Sequence, residues 1–298
     1  MQTGTPAGRW SAEVADEMAG VAAAQLGLST ERRLVRYGTN AIFELPAERL
    51  ALRITPPGTR VTRVETQVEF ARWAQGRGCE IGAPADLPVV RDDLDGGVAS
   101  FWAWLDHDGE RAGPDDYGPA LRAFHDAVHD CPLELPRWNP FGRLEDRWTN
   151  PEVIDALGEL QAGELRARSD ELAESPLLWR DVQVIHGDAH AGNLLHWDGV
   201  YTWTDFDLIA RGPALDDLAS YGLAVRRFGR PDHELDTVLS LYGASEEQRD
   251  QLRLVTRVKE LLSLAWLSTT LARPGALPEF LRRVSSVVDD EPLVWQAF

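Results

Sequence analysis

The sequence predicts an α+β fold in two lobes: a small N-terminal lobe on an antiparallel sheet, residues 1–105, and a larger, mainly helical C-terminal lobe, residues 106–298. Three observations lead there. Short apolar runs at 34–37, 41–45 and 50–54 are separated by turn-forming residues. From about Tyr117 onward apolar residues recur at helical spacing, most clearly in ALRAFHDAVHD, PEVIDALGELQAGEL and QLRLVTRVKELLSLAWLSTTLA. Between the two patterns, Leu105 to Gly113 turns to Asp, Gly and Pro, the composition of a boundary.

In chain order, Ser11 can cap a first helix carrying Val14, Met18 and Val21 at helical spacing, with Gly27 to end it. The three apolar runs follow, divided by Gly38-Thr39-Asn40 and by Pro46-Ala47-Glu48-Arg49, which reads as an antiparallel meander. Alternation in the third run puts Leu50, Leu52 and Ile54 on one face and Ala51 and Arg53 on the other, so Arg53 is aimed away from the core. After Pro56-Pro57-Gly58, RVTRVETQVEFARWAQ reads as a helix with Val61, Val64, Val68 and Ala71 as its apolar stripe. DDLDGG reads as a solvated turn, and FWAWLDHDG as one more strand running into a linker.

Composition narrows the function. A chain of 298 residues that is 44% hydrophobic can bury a large core. It has no run of eighteen apolar residues and no basic-then-apolar start, which predicts a soluble cytoplasmic protein. Cys79 and Cys131 match no metal-ligand spacing and read as reduced packing residues. A net charge of −18 argues against nucleic acid or an anionic membrane as partner and favours a cationic ligand. Of the 30 basic residues 29 are arginines, Lys259 being the one lysine.

Two stretches break the helical pattern: VQVIHGDAHAGN and LLHWDGVYTWTDFD. In the second, apolar runs flank Asp198-Gly199, a strong hairpin signal that brings Asn193 and Asp205 to one end of the ribbon. An Asn amide oxygen and an Asp carboxylate are hard ligands suited to Mg²⁺, which takes its remaining ligands from water and substrate phosphates. Asp188, five residues before Asn193, is then free to accept a proton from a hydroxyl attacking a γ-phosphate.

HGDAHAGN followed by DFD at 205–207 resembles the aminoglycoside phosphotransferase family, relatives of protein kinases that carry HGDxxxxN in place of HRDxxxxN. RYGTNAIFEL resembles that family's nucleotide loop, LALRI its third strand, and GPALDDLASY the segment after its metal aspartate. The resemblance implies a two-lobed protein-kinase-like fold, with ATP or GTP held by the N-terminal lobe near Gly38, Asn40 and Ala51 and by the linker at Trp104. It implies Asp188 as catalytic base, Asn193 and Asp205 as Mg²⁺ ligands, Asp217 as the buried brace of the catalytic loop, and His186 as a packing residue.

Kinases carry V-A-I-K on the third strand, whereas this chain has Leu50-Ala51-Leu52-Arg53. We expect Arg53 to hold the phosphates in place of lysine, with Glu65 rather than Glu69 as its carboxylate partner. Asp207 is left with Arg211 or a second metal as candidate partners. His125 reads as a buried helix histidine, and the tryptophans mainly as packing residues, with Trp102 and Trp104 near the adenine. No A-P-E signature follows DFD, which disfavours a protein substrate. The implied activity is O-phosphorylation of a small, amine-bearing acceptor, an aminoglycoside-like compound or another antibiotic. The alternatives are a metabolite kinase of the choline or homoserine type and a non-catalytic nucleotide-binding module.

Overall fold

The computed structural model describes residues 10–91 and 96–297, so Asp92 to Asp95 of the DDLDGG run lie outside the described residues. The chain divides into two compact units: one runs up to Glu110 and takes in Leu195–Asp207, and the other comprises Arg111–Leu194 and Leu208 onward.

The first unit opens with α1 (Ala12–Gln25), whose Val14 amide donates to the Ser11 hydroxyl at 3.2 Å, with Gly27 in the left-handed region just past its end. The expected meander forms as β1 (Arg33–Tyr37), β2 (Ala41–Leu45) and β3 (Leu50–Thr55), each antiparallel to the next. Next come α2 (Val61–Gly76), the short β4 (Val90–Arg91) and β5 (Val98–Ala103), which lies against β3 and gives the sheet order β1-β2-β3-β5-β4. Alternate residues of β2 and β3 turn to one side: Phe43, Leu45, Leu52 and Ile54 are fully buried and pack with Phe101 and with Ala15, Met18, Ala19 and Ala22 of α1. Leu50, expected on that core face, is only half-buried at the end of its strand.

The second unit carries α3 (Pro114–Val128), α4 (Pro140–Trp148), α5 (Pro151–Leu157) and α6 (Glu159–Ala173). PEVIDALGELQAGEL is therefore two helices, because Gly158 takes a left-handed φ of 80° that no helix continues through. β6 (Val182–Ile185) leads into the HGDAHAGN segment. The hairpin β7 (Leu194–Trp197) and β8 (Val200–Trp203) follows, with Asp198 at φ 51° and Gly199 at φ 77°, the two positive angles of a type I′ turn. From Leu195 it belongs to the first unit, where the Trp203 amide donates to the Glu80 carbonyl at 3.0 Å and the Trp203 carbonyl accepts from the Gly82 amide at 2.8 Å. A cut at residue 105 thus misses that the hairpin rejoins the sheet-bearing unit. β9 (Ala210–Pro213) pairs antiparallel with β6. Helices α7 (Leu215–Phe228), α8 (Asp232–Tyr242), α9 (Glu246–Leu267) and α10 (Ala276–Val288) complete the unit. Leu261, Leu264, Phe280 and Val284 are among the buried residues packed here against Leu144, Trp148 and Leu165. Among the described residues no helix is long and apolar enough to cross a membrane, and both cysteines are buried.

Candidate active site

The loop after β6 is held from several sides within the second unit. Asp217, fully buried in the first turn of α7, accepts the amide N–H groups of His186 and Gly187, each at 2.8 Å, and lies 2.9 Å from Nε2 of His125. His125 reaches the Tyr242 hydroxyl with its other ring nitrogen at 2.8 Å, so the histidine read as a helix-packing residue is a strut behind the brace. Burial pushes the Asp217 carboxyl up, but the His125 hydrogen bond and the neighbouring charges of His125, His186 and Lys259 outweigh it and hold the group below its ordinary value. The buried Tyr117 of α3 donates its hydroxyl to the Ala189 carbonyl at 2.6 Å, and Lys259 of α9 donates to the Gly187 carbonyl at 3.1 Å.

Gly187 is required in this loop. Its φ is +81°, and a Cβ there would lie 2.2 Å from the Leu208 carbonyl oxygen. His186 is buried, and its Nδ1 accepts the Asp188 amide at 3.3 Å, a packing and turn-forming role rather than that of a base. Within this frame the Asp188 side chain remains 47% exposed. Asn193 closes a short turn and donates its side-chain N–H₂ to the Asp188 carbonyl at 2.9 Å and to its carboxylate at 3.4 Å.

Within the first unit, Arg53 projects from β3 as the alternation requires and is buried to 7% exposure. Its guanidinium donates to the Gln67 side-chain oxygen at 2.8 Å and is ion-paired with Asp207, and it lies 3.9 Å from an Asp205 oxygen. Glu65 is not the partner: Glu65 and Glu69 are both exposed, and Gln67, buried on the inner face of α2, takes that place. Asp207 acts on Arg53, not on Arg211, and also accepts from the Asn40 amide at 2.7 Å, while Arg211 donates to the Cys131 carbonyl at 2.5 Å. Burial raises the Asp207 carboxyl, but the charge and hydrogen bond of Arg53, with Asn40 and Arg63, more than offset this and hold it below its ordinary value.

The remaining sequence-predicted positions have settled places in this unit. The Gly38 amide donates to the Asn40 carbonyl at 3.0 Å, and the Gly38 carbonyl accepts the Trp10 indole at 3.1 Å. Ala51 lies in register with Trp102 across β3 and β5, and the main-chain N–H of Trp104 donates to the Arg49 carbonyl at 2.9 Å.

Residue by residue, the donor types expected for the metal suit a hard divalent cation. Asn193 turns its N–H₂ to Asp188, and Arg36 and Arg53 lie 3.8 and 3.9 Å from the Asp205 carboxylate; an amide oxygen and a carboxylate are both hard oxygen donors. Asp188 and Asn193 belong to the second unit and Asp205 and Arg53 to the first.

Two residues that hold these side chains and the loop escape the sequence reading. Gln67 is a polar residue within the apolar stripe of α2, between Val64 and Ala71, and that misfit is the signal that could have marked it. Lys259 is visible as the one lysine, but no local pattern indicates its partner Asp216, 2.9 Å away. Burial pushes the Asp216 carboxyl up to about 6, despite the opposing charge and hydrogen bond of Lys259.

A comparison with curated proteins returns no match. Among solved structures, the chain is similar to a microcompartment-associated aminopropanol kinase, with a TM-score of 0.71 at 16% identity over 90% of this chain and 94% of that one. An amicoumacin kinase in complex with AMP-PNP, Ca²⁺ and its ligand gives 0.66 at 14% identity, covering 88% and 89%. Aminoglycoside 2′-phosphotransferase-IIIa in its GDP complex gives 0.63 at 13% identity, covering 92% and 98%. These likenesses establish the protein-kinase-like fold. The sequence profile of the phosphotransferase enzyme family matches residues 24–255. The braced HGD loop, its asparagine and the downstream aspartates all fall within that span, and the chain belongs to this family of small-molecule kinases.

Proposed function

We propose that the chain transfers the γ-phosphoryl group of ATP or GTP to a hydroxyl of an amine-bearing small molecule, an aminoglycoside-like compound or another antibiotic, in the cytoplasm. The observation that carries this reading is a carboxylate on a tightly braced loop that is itself kept open: Asp188 is 47% exposed while the loop's main chain is bonded to α3, α7 and α9. Asp188 accepts the acceptor's hydroxyl proton as that oxygen attacks the γ-phosphorus. The bond from phosphorus to the bridging oxygen breaks, and the nucleoside diphosphate leaves. Arg53 neutralises the phosphates. Its five N–H donors allow it to keep Asp207 and Gln67 while offering others to the nucleotide. Asn193 and Asp205 would hold Mg²⁺, which supplies charge neutralisation at the phosphates when bound.

The preference for an amine follows from charge. A net −18 draws cations toward the protein and disfavours anionic acceptors. A second reading, a kinase of a small amino alcohol, is supported by the likeness to an aminopropanol kinase and to a choline/ethanolamine kinase family protein. Both readings share an acceptor with a hydroxyl and an amine. An ADP- or GDP-release screen with aminoglycosides, other antibiotics and amino alcohols tests them together. We expect acceptor-dependent release with at least one amine. Neutral or acidic acceptors outperforming every amine would overturn the charge argument, and no acceptor-dependent release anywhere would favour a non-catalytic nucleotide-binding protein.

A further inference from the structure

Lys259 is the one lysine in a chain that uses arginine at its 29 other basic positions. It lies on α9 beyond residues 24–255, the span matched by the family profile, and is only 7% exposed. A buried ammonium is costly unless it is paired and hydrogen-bonded. Here Nζ divides its donors between the Asp216 carboxylate at 2.9 Å and the Gly187 carbonyl at 3.1 Å. Gly187 immediately precedes Asp188. On the other side of Asp188 the Ala189 carbonyl accepts the Tyr117 hydroxyl, which also contacts the Asp217 carbonyl at 3.1 Å. The carbonyls of the residues on either side of Asp188 are thus gripped by donors from two helices, each of which also holds the first turn of α7.

We infer that Lys259 is a positioning residue for phosphoryl transfer: by holding the Gly187 carbonyl it fixes where Asp188 stands. The inference rests on the reading of Asp188 as the base. It accounts for a lysine at this one position. A compact ammonium fits between a carboxylate and a carbonyl, whereas a guanidinium is planar, longer and carries five donors to be satisfied in the same buried space.

The bland alternative is that Lys259 only neutralises Asp216. Removing both charges separates the two, because Asp216→Asn with Lys259→Met leaves no uncompensated buried charge yet cannot donate to Gly187. Against the unmodified protein, we expect amide exchange over residues 186–193 to quicken roughly tenfold or more at an unchanged global unfolding midpoint. We also expect kcat to fall roughly 10- to 100-fold while KM for ATP stays within about twofold. Lys259→Arg, which keeps the charge, should show the same loop loosening and provides a second test should the double variant fail to fold. Equal loop exchange and equal kcat in the double variant and the unmodified protein, or a Lys259→Arg protein that matches the unmodified one in both, overturns the proposal. An unmodified protein without phosphotransfer would instead sink the base assignment, and the exchange measurement would still decide whether Lys259 holds the loop.

Discussion

Replacing Asp217 by asparagine keeps the side chain's shape and removes one acceptor oxygen and the charge. In the protein one carboxylate oxygen accepts the Gly187 amide, while the other accepts the His186 amide and faces His125. With the asparagine N–H₂ on the first side, the Gly187 amide faces another donor in a fully buried place, which costs about 1–3 kcal/mol. Losing the charge weakens the other two contacts by roughly 0.5–1 kcal/mol each, so the loss should be about 2–5 kcal/mol. The pH dependence follows from the depressed carboxyl. A group whose folded pKa lies below its unfolded value of about 3.9 contributes stability that is complete above that value and is lost as pH falls through the folded one. Asparagine does not titrate, so the gap between the two proteins should be flat from pH 7 to about 4.5 and narrow below that. Urea unfolding at pH 7, 5.5, 4.5 and 3.5 measures it. A gap under about 0.5 kcal/mol at pH 7, or one that widens toward acid, refutes the reasoning.

Three further expectations address the nucleotide and the acceptor. Arg53→Ala removes a charge-assisted contact to the phosphates and should weaken ATP binding roughly 10- to 100-fold, whereas Arg53→Lys keeps the charge and should recover much of it; calorimetry with normal affinity in the alanine variant would remove Arg53 from the nucleotide site. Asp205→Ala should abolish the tightening of ATP binding by Mg²⁺, and equal affinity with and without Mg²⁺ in the unmodified protein contradicts a metal role for Asp205. For an amine acceptor, kcat/KM should fall as NaCl rises from about 20 to 300 mM while KM for ATP changes less; no salt dependence would point to a neutral acceptor pocket.

What the sequence discloses, and what it does not, follows the range of the interactions. Asp198-Gly199 announces its hairpin because a two-residue turn with two positive φ angles is a local demand. The β1–β3 meander is legible for the same reason, and HGDAHAGN is legible as a family motif because its residues lie at a short fixed spacing, within the span that the family profile matches. Glu65 was the wrong partner for Arg53 because helical phase places a residue relative to its own stripe, not relative to the strand across from it. The packing of α2 turns Gln67 inward, and the charge comes from Asp207, 154 residues away in sequence. The clamps of Lys259 and Tyr117 on the loop span 72 residues each, and the return of the hairpin to the first unit is settled by backbone bonds of Trp203 to Glu80 and Gly82. None of these leaves a periodic trace.

The most direct test of the account is the acceptor-dependent turnover of Asp188→Asn, followed as nucleoside diphosphate release beside calorimetric ATP binding. The loop's supports reach Asp188 through its neighbours' backbone groups, so the variant should fold and bind nucleotide as the unmodified protein does. Its kcat should fall roughly 10²- to 10⁴-fold, the loss that follows removal of a general base. Undiminished turnover in Asp188→Asn would contradict the account.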